Sequence, residues 1–186
     1  MPDTTKLAAL LARLSYREGD FTLASGAKST FYLDAKQVSY HPEGVELVGS
    51  AVHALAREFG AQAVGGPTLG ADAIVLAAVY ASSKTDWPLS GFIVRKEAKK
   101  HGLGKWVEGV DPKGKKVIVV EDVITSGGSL LNAVEHIREA GAEIVVATAL
   151  VDREQGGAAT IEAAGFPFRP LCTIAQVRAQ FNAAGR

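Results

Sequence analysis

The stretch Val117-Ile-Val-Val-Glu-Asp-Val-Ile-Thr-Ser-Gly-Gly-Ser129 decides the fold of this 186-residue chain. Its apolar first part indicates a buried strand that ends near Glu121, and the apolar residues that follow from Leu130 indicate a helix. Glycines let the backbone turn tightly between the two. The N–H groups at a helix start lack intrahelical partners, and the helix dipole favours negative charge there. The stretch therefore predicts a strand-loop-helix turn that binds an anion.

The turn alone is equally compatible with an ordinary capped helix start, so the acids Glu121 and Asp122 carry the argument further. Two carboxylates would repel a bare phosphate, but they accept strong hydrogen bonds from hydroxyl groups. A ligand with both a phosphate and a diol, such as a ribose 5-phosphate, meets both conditions. Gly65-Gly-Pro-Thr-Leu-Gly70 is followed by Ala71, so it is no Walker A motif, which disfavours nucleoside triphosphates.

The wider pattern predicts an α/β fold. Near-continuous apolar segments alternate with amphipathic ones, which indicates a parallel sheet with helices on both faces. Strands are predicted at 63–66, 89–94, 116–121, 143–151 and 168–174, and helices at 43–59, 71–81, 130–140 and 158–164. Residues 1–40 instead predict one helix and two short strands, which we name the hood. We expect a single domain over 1–186, with residues 41–175 forming the α/β core.

Composition excludes several function classes. Lysine plus arginine equal aspartate plus glutamate at 20 each, so no overall field attracts nucleic acid or an anionic membrane. No apolar run approaches the ~20 residues needed to cross a bilayer, and the N-terminus lacks the apolar core of a signal peptide. A cytoplasmic location is expected. Cys172 is alone and predicts a buried thiol, and His41, His53 and His136 have unrelated spacings that predict surface residues rather than metal ligands.

Five cations and His101 crowd the segment from Arg95 to Lys105. A charge run is usually a solvated face, and that alternative stands for this segment taken alone. Beside a phosphate site, a glycine-containing cationic loop has a second use. It can close over a diphosphate and neutralise the charge as that group leaves.

Residues 117–129 resemble the signature of the phosphoribosyltransferase family. Three further motifs narrow the resemblance to the orotate phosphoribosyltransferases. Arg95-Lys-x-x-Lys99-x-His101-Gly102 is similar to their catalytic loop, Phe21–Gly26 and Ser29–Asp34 to their hood strands, and Val151–Gly157 to a segment after a later strand. Gly66–Gly70 resembles their loop under the diphosphate. Together these motifs span residues 21–157.

The resemblance implies an enzyme that transfers the phosphoribosyl group of 5-phospho-α-D-ribose 1-diphosphate to orotate. The products would be orotidine 5'-phosphate and diphosphate, a step of UMP biosynthesis. It implies Mg²⁺ carried by the diphosphate rather than by protein side chains. It also implies a homodimer in which the catalytic loop of one subunit closes over the site of its partner, so that active sites are shared.

The same resemblance assigns site residues. The expected catalytic residues are Lys99, His101 and Asp122. The expected ligands of phosphoribosyl diphosphate are Arg95, Lys96, Lys99, His101, Glu121, Asp122, Val123, Ile124, Thr125, Ser126, Gly127, Gly128 and Ser129. For orotate, Arg153 would bind the carboxylate, Thr125 would add a hydroxyl, and Tyr32 or its neighbour Phe31 would form an aromatic wall.

One departure and three alternatives remain at this point. Ala24 stands where many family members have lysine, and Lys28 is the nearest substitute. Without the family, Arg153 would be read as part of a surface charge cluster with Asp152 and Glu154. The alternative functions are a purine or uracil transferase, a regulator that senses phosphoribosyl diphosphate, and a non-enzymatic α/β protein with accidental motifs.

Overall fold

The computed structural model of the chain describes residues 4–22, 26, 28–97 and 105–185. Within these ranges a six-stranded sheet has the order β5-β4-β3-β6-β7-β8. Its strands are β3 (Ala63–Pro67), β4 (Ser90–Val94), β5 (Val107–Gly109), β6 (Lys116–Ile124), β7 (Glu143–Asp152) and β8 (Cys172–Thr173). The strands from β4 to β8 in this order are parallel, and β5 pairs antiparallel with β4 at the edge.

Helices cover both faces of this sheet. They are α1 (Thr5–Leu14), α2 (Lys36–Ser39), α3 (Pro42–Glu58), α4 (Asp72–Ser82), α5 (Gly128–Glu139), α6 (Gly157–Ala163) and α7 (Ile174–Ala183). Along β6, Ile118 and Val120 belong to one buried cluster, whereas Val117 and Val119 belong to the other. Because successive strand residues point to opposite faces, this alternation confirms the predicted α/β fold with two covered faces.

The hood contains a hairpin of β1 (Tyr16–Thr22) and β2 (Lys28–Leu33), which pair antiparallel. Tyr16 is fully buried, and its ring stacks on Phe31 at 5.6 Å and meets Phe181 of α7 edge-on at 5.0 Å. The C-terminal helix α7 therefore packs against the hood, and the two ends of the chain share one layer.

The sequence analysis did not predict α7, and its last predicted strand was too long. The structure has an isolated bridge at Phe168 and a two-residue β8 instead of a strand over 168–174. The Thr173 hydroxyl accepts a hydrogen bond from the Gln176 amide, and the Gln176 side chain accepts one from the Thr173 amide. This reciprocal capping box starts a helix where the sheet ends.

Strand β6 is three residues longer than predicted. Val123 pairs with Val151 and Ile124 with Asp152, so Asp122, Val123 and Ile124 lie in the strand and the turn starts at Thr125. The carboxyl ends of β3, β4, β6 and β7 all lie at one edge of the sheet, where ligands of open parallel sheets bind.

None of the helices in the described part of the chain combines the length and the apolar character needed to cross a membrane.

Candidate active site

Four chain segments meet at the carboxyl edge of the sheet. The Thr68 amide donates a hydrogen bond to the Val94 carbonyl at 2.9 Å, which joins the ends of β3 and β4. The Arg153 amide donates to the Ile124 carbonyl at 2.9 Å, which joins the ends of β6 and β7. Residues predicted from separate motifs are thereby placed side by side.

The turn from Thr125 to Ser129 is packed from behind and open in front. Gly127 has φ 86°, and a Cβ there would lie 3.2 Å from Ile161 Cγ1 and 3.3 Å from the Gly157 carbonyl oxygen. A Cβ on Gly128 would meet only Ser126 Oγ, at 3.8 Å. Since α5 begins at Gly128, the helix N-terminus presents its free N–H groups on the open side, as an anion site requires.

Glu121 is buried, with 6% of its surface exposed. Burial raises the pKa of Glu121 to about 7, and the neighbouring charge of Asp122 adds to this shift, which a hydrogen bond with Ser129 opposes. Its Oε2 atom is buried and has no hydrogen-bond partner among the described residues. An unsatisfied buried acceptor is costly, so this oxygen is ready to accept a hydrogen bond from a ligand hydroxyl.

The segment from Pro67 to Gly70 lies directly against the two acids. A Cβ on Gly70 would be 2.5 Å from Glu121 Oε1 and 2.7 Å from Asp122 Oδ1, so a larger residue at this position would displace the two carboxylates. The Thr68 hydroxyl donates to Asp72 Oδ2 at 2.9 Å and ties the segment to the first turn of α4. The loop expected under the diphosphate is thus beside the acids, and its binding role stays a prediction.

Lys36 is a site residue that the sequence analysis missed. Its ammonium group donates a hydrogen bond to Asp122 Oδ2 and forms an ion pair with it. This hydrogen bond raises the pKa of Lys36, and burial opposes the shift. Lys36 begins α2, where its amide donates to Asp34 Oδ1 at 3.1 Å. Its place directly behind the second hood strand was the available clue.

Arg153 lies between the hood and the sheet edge. Its guanidinium carbon is 4.7 Å from the centroid of the Phe31 ring, and Nη2 donates to Ser29 Oγ at 3.5 Å. Burial lowers the pKa of Arg153, although an arginine keeps its charge in proteins. Its Nε is buried and has no hydrogen-bond partner among the described residues. A planar cation with an unused donor is suited to bind a carboxylate.

The neighbours of Arg153 fix its backbone. Asp152 is buried, and its Oδ1 accepts a hydrogen bond from the Glu154 amide at 2.9 Å. Glu154 has a left-handed φ of 57°, and its Oε2 accepts from the Ala175 amide at 3.1 Å in the first turn of α7. The alternative of a surface charge cluster is therefore wrong, because each acid has a structural partner of its own.

Phe31, rather than Tyr32, is the aromatic residue that contacts Arg153. Tyr32 is 46% exposed and packs with Phe21 at a centroid distance of 5.6 Å. Adjacent strand residues point to opposite faces, so the buried Phe31 and the exposed Tyr32 cannot share one side of the hairpin. An orotate contact of Tyr32 stays a prediction. Arg178 of α7, also missed by the sequence analysis, contacts the same ring, with its guanidinium carbon 5.3 Å from the Phe31 centroid.

The structure describes Lys28, the proposed substitute for the lysine missing at position 24, and only part of the basic segment. Ala24, Lys99 and His101 lie outside the described residues, whereas Lys28 Nζ donates to Thr22 Oγ1 at 2.9 Å within the hairpin. Arg95 pairs with Glu108 at 3.3 Å, on β5, and its amide donates to the Trp106 carbonyl at 2.9 Å. Lys96 is exposed. The two ends of the basic segment thus meet at one point of the sheet edge.

The predicted surface position is wrong for two histidines. His53 is 8% exposed, with Nε2 3.0 Å from the Trp87 carbonyl oxygen. The ring of His136 is covered by Trp106. Tertiary contacts with residues distant in sequence bury each ring, which spacing alone does not reveal. Among the described residues, no three His, Cys, Asp or Glu side chains are grouped to hold a metal ion.

Comparison with known proteins agrees with this geometry. A family model of the phosphoribosyl transferase domain matches residues 55–164. The chain is 42% identical over 181 residues to an orotate phosphoribosyltransferase of Nostoc sp., covering 97% of this chain and 87% of that protein. A crystal structure of Mycobacterium tuberculosis orotate phosphoribosyltransferase in complex with Fe(III) dicitrate has a TM-score of 0.84 and 38% identity, covering 95% and 99% of the two chains. A structure of that protein in complex with 5-phospho-alpha-D-ribosyl 1-diphosphate has a TM-score of 0.80 and 35% identity over the same shares.

Proposed function

The chain belongs to the phosphoribosyltransferase family, within it to the orotate phosphoribosyltransferases, and from this premise we propose how its residues divide the reaction. The enzyme transfers the phosphoribosyl group of 5-phospho-α-D-ribose 1-diphosphate to orotate, giving orotidine 5'-phosphate and diphosphate. One observation carries the assignment of roles. The Arg153 amide donates a hydrogen bond to the carbonyl of Ile124, the residue before the turn, and this proximity supports a role for Arg153 as the cation that binds an acidic base.

The sheet edge binds the donor substrate. The turn from Thr125 to Ser129 holds the 5-phosphate through its N–H groups and hydroxyls. Asp122 and Glu121 accept hydrogen bonds from the ribose hydroxyls. Two features support this: the open side of Gly128, and Oε2 of Glu121, which has no hydrogen-bond partner in the part of the chain that the structure describes. Hydroxyl groups that donate hydrogen bonds to Glu121 stabilise its ionised form. Binding of the phosphoribosyl substrate would therefore offset the effect of burial on the pKa of Glu121.

The hood side binds orotate. The orotate carboxylate accepts two hydrogen bonds from Arg153, whose contact with Ser29 at 3.5 Å is weak enough to be replaced. Thr125 offers its hydroxyl from the turn, and Phe31 supports the guanidinium from below. The base is thereby held next to the ribose. Because both substrates are already positioned, the entropy cost of bringing them together is met on binding and not in the chemical step.

The reaction forms a bond from orotate N1 to ribose C1 and breaks the bond from C1 to the diphosphate oxygen. Positive charge develops on the sugar and negative charge on the leaving group. Asp122 and Glu121 lie beside the sugar and stabilise its positive charge. The basic segment, with Arg95, Lys96, Lys99 and His101, neutralises the negative charge of the leaving diphosphate. Lys99 and His101 carry the catalytic part of this role in the proposal.

Mg²⁺ is the proposed cofactor, bound mainly through the diphosphate. Mg²⁺ prefers oxygen ligands and usually reaches proteins with phosphates and one or two carboxylates. In this proposal the diphosphate oxygens hold the ion, and the carboxylates of Glu121 and Asp122 remain acceptors for the ribose hydroxyls. When bound, the ion supplies positive charge against the leaving diphosphate. Chelation should abolish orotidylate formation and added Mg²⁺ should restore it; activity that persists in excess chelator would exclude this cofactor.

A homodimer is the proposed assembly, and its interface is an apolar face of α4. Leu76 is 69% and Tyr80 67% exposed on that helix, and Leu69 is 62% exposed just before it. Val110, 47% exposed, extends the face beside β5. Exposed apolar patches of this kind mark association sites. The proposed occupant is a second copy, since the face adjoins the end of the basic segment that would serve the partner site.

Two measurements test the dimer. Sedimentation should give twice the chain mass, and Leu76→Asp with Tyr80→Asp should yield monomers of low activity. Lys99→Ala and Asp122→Ala chains, each inactive, should regain about a quarter of wild-type activity when mixed equally, because half of the molecules are heterodimers with one intact site. A monomer, or a dimer whose mixtures stay inactive, would refute shared sites.

The function itself is tested by assaying orotidylate formation from the purified protein, with adenine, guanine and uracil in parallel. Arg153→Ala should impair orotate use severely, whereas a purine transferase would hardly respond. Saturating orotate and donor without product would overturn the proposal. Product from a purine or uracil would favour the corresponding alternative.

A further inference from the structure

Trp106 is the first residue after the basic segment with a defined tertiary partner. Its ring stacks on His136 of α5, with centroids 3.8 Å apart and an interplanar angle of 8°. The His136 side chain is only 13% exposed, and its Nδ1 lies 2.9 Å from Glu139 Oε2. The imidazole is thus held on one side by a carboxylate of its own helix and covered on the other by the indole.

This stack connects the two parts of the site. On one side, the Trp106 carbonyl accepts a hydrogen bond from the Arg95 amide, and Arg95 pairs with Glu108. On the other side, His136 belongs to the helix whose first residue is Gly128, in the phosphate turn. Buried residues along α5, among them Leu130 and Ile137, anchor that helix on the sheet. The packed helix α5 therefore fixes the position of Trp106 relative to the phosphate turn.

We propose that Trp106 is a positioning residue for the transfer reaction: by stacking on His136 it fixes the end of the basic segment relative to the phosphate turn. This inference rests on the proposed function, since the segment acts on the diphosphate. The indole is half-buried, lies outside the two buried core clusters, and lines with His136 a surface hollow of ≈ 350 Å³. Trp106 touches neither substrate in this proposal and acts through the residues before it.

The kinetic test uses Trp106→Ala, Trp106→Phe and His136→Ala. Misplacing catalytic groups by about 1 Å costs up to about 100-fold, and loss of one anchor should lower kcat about tenfold. The KM for orotate should stay within about twofold. Trp106→Phe, which keeps a stacking ring, should recover most of kcat. The double variant Trp106→Ala with His136→Ala should lose no more than either single variant, because residues in one contact are not additive.

Trp87 offers the matched control. It is the other tryptophan of the chain, 37% exposed, and its Nε1 donates to the Ala61 carbonyl at 2.7 Å, before β3 and away from the site edge. Trp87→Phe should leave kcat and KM unchanged. In that background Trp106 is the single tryptophan, so its fluorescence reports the stack without reference to activity. His136→Ala should shift the emission to longer wavelength as the indole meets water.

The outcomes separate the possible failures. A wild-type protein that forms no orotidylate refutes the proposed function. An active wild type with an equally active Trp106→Ala refutes this inference alone, as does an emission unchanged by His136→Ala. If Trp106→Ala fails to fold, Trp106→Phe and His136→Ala decide: a kcat loss in His136→Ala with an unchanged melting temperature supports positioning, and a loss that follows the unfolded fraction overturns it.

Discussion

The two sides of the site differ in what holds their charged groups. On the sheet side, the acids Glu121 and Asp122 are packed against Gly70, and Oε2 of Glu121 has no hydrogen-bond partner among residues 4–22, 26, 28–97 and 105–185. On the hood side, the Arg153 guanidinium rests on the Phe31 ring and has a weak contact with Ser29. The buried carboxylate of Glu121 is unfavourable until a hydroxyl donor binds. The Arg153 guanidinium is stabilised without a ligand, because a cation over an aromatic ring is attracted to it.

Because the two sides differ in this way, one site can accept two different substrates. The sheet side has buried acceptors and free helix N–H groups, so it stabilises a ligand that brings both hydroxyls and phosphate. The hood side holds the Arg153 guanidinium, which favours a base that carries a carboxylate over an uncharged base. Substitutions of the buried acid Glu121 should therefore affect the donor substrate and the protein stability together, and those on the hood side should affect orotate alone.

The largest effect is expected from Asp122→Asn. The change keeps the shape but removes the charge beside the sugar and leaves Lys36 without its ion-pair partner. Removing one electrostatic stabiliser of a transition state typically costs about 10²–10³-fold in kcat, and we expect a loss of this size in kcat/KM for the donor. Asp111→Asn, at an exposed turn where Oδ1 accepts from the Lys113 amide, is the control. Equal activity of the two variants would contradict the role of Asp122.

Arg153→Lys should weaken the use of orotate without affecting the donor substrate. Lysine keeps the charge but lacks the planar pair of donors. Because hydrogen bonds to a charged group are worth about 1.5–3 kcal/mol, we expect kcat/KM for orotate to fall about 100-fold. Donor affinity, measured by calorimetry, should not change. Arg169→Lys is the control, because that half-buried arginine donates to the Phe168 carbonyl away from the site edge. A weakened donor affinity would break the proposed division between the two sides.

Glu121→Gln should alter stability in a pH-dependent way. The pKa of Glu121 is raised by burial to about 7 in the folded protein from its ordinary 4.5, so the folded state binds the proton more tightly than the unfolded state does. The stabilisation is complete below the unfolded pKa and is lost as pH rises through about 7. Glutamine does not ionise, so the variant should gain about 2 kcal/mol relative to wild type between pH 5 and pH 8. Urea unfolding at both pH values measures this; parallel profiles would contradict it.

The smallest effect separates two neighbouring glycines. Gly127→Ala should destabilise the protein by about 1–2 kcal/mol, because φ 86° is left-handed and the new methyl group meets Ile161. Gly128→Ala should leave the melting temperature unchanged, since its methyl group makes only an ordinary van der Waals contact with Ser126 Oγ at 3.8 Å, yet weaken donor binding. Thermal unfolding with and without donor distinguishes the two. If both variants melt alike and bind alike, the open side of the turn is not the phosphate site.

The sequence by itself determined the sheet side. Apolar runs, the acid pair and the glycines between residues 117 and 129 predict a strand, a turn and a helix, because each depends on local periodicity and local backbone freedom. The alternation of such units then predicted the parallel sheet and its two covered faces. Only the start of the turn was misplaced, because the pairing of Ile124 with Asp152 extends β6.

The tertiary structure decided the hood side. Lys36 reaches Asp122 across 86 residues, and Arg153 reaches Ser29 across 124. Which of Phe31 and Tyr32 faces Arg153 depends on how the hairpin packs, and Arg178 joins Phe31 only because α7 returns to the hood. Residue spacing fixes the period of a helix or strand, but the packing of distant elements decides which face of a strand turns inward and which side chains meet there.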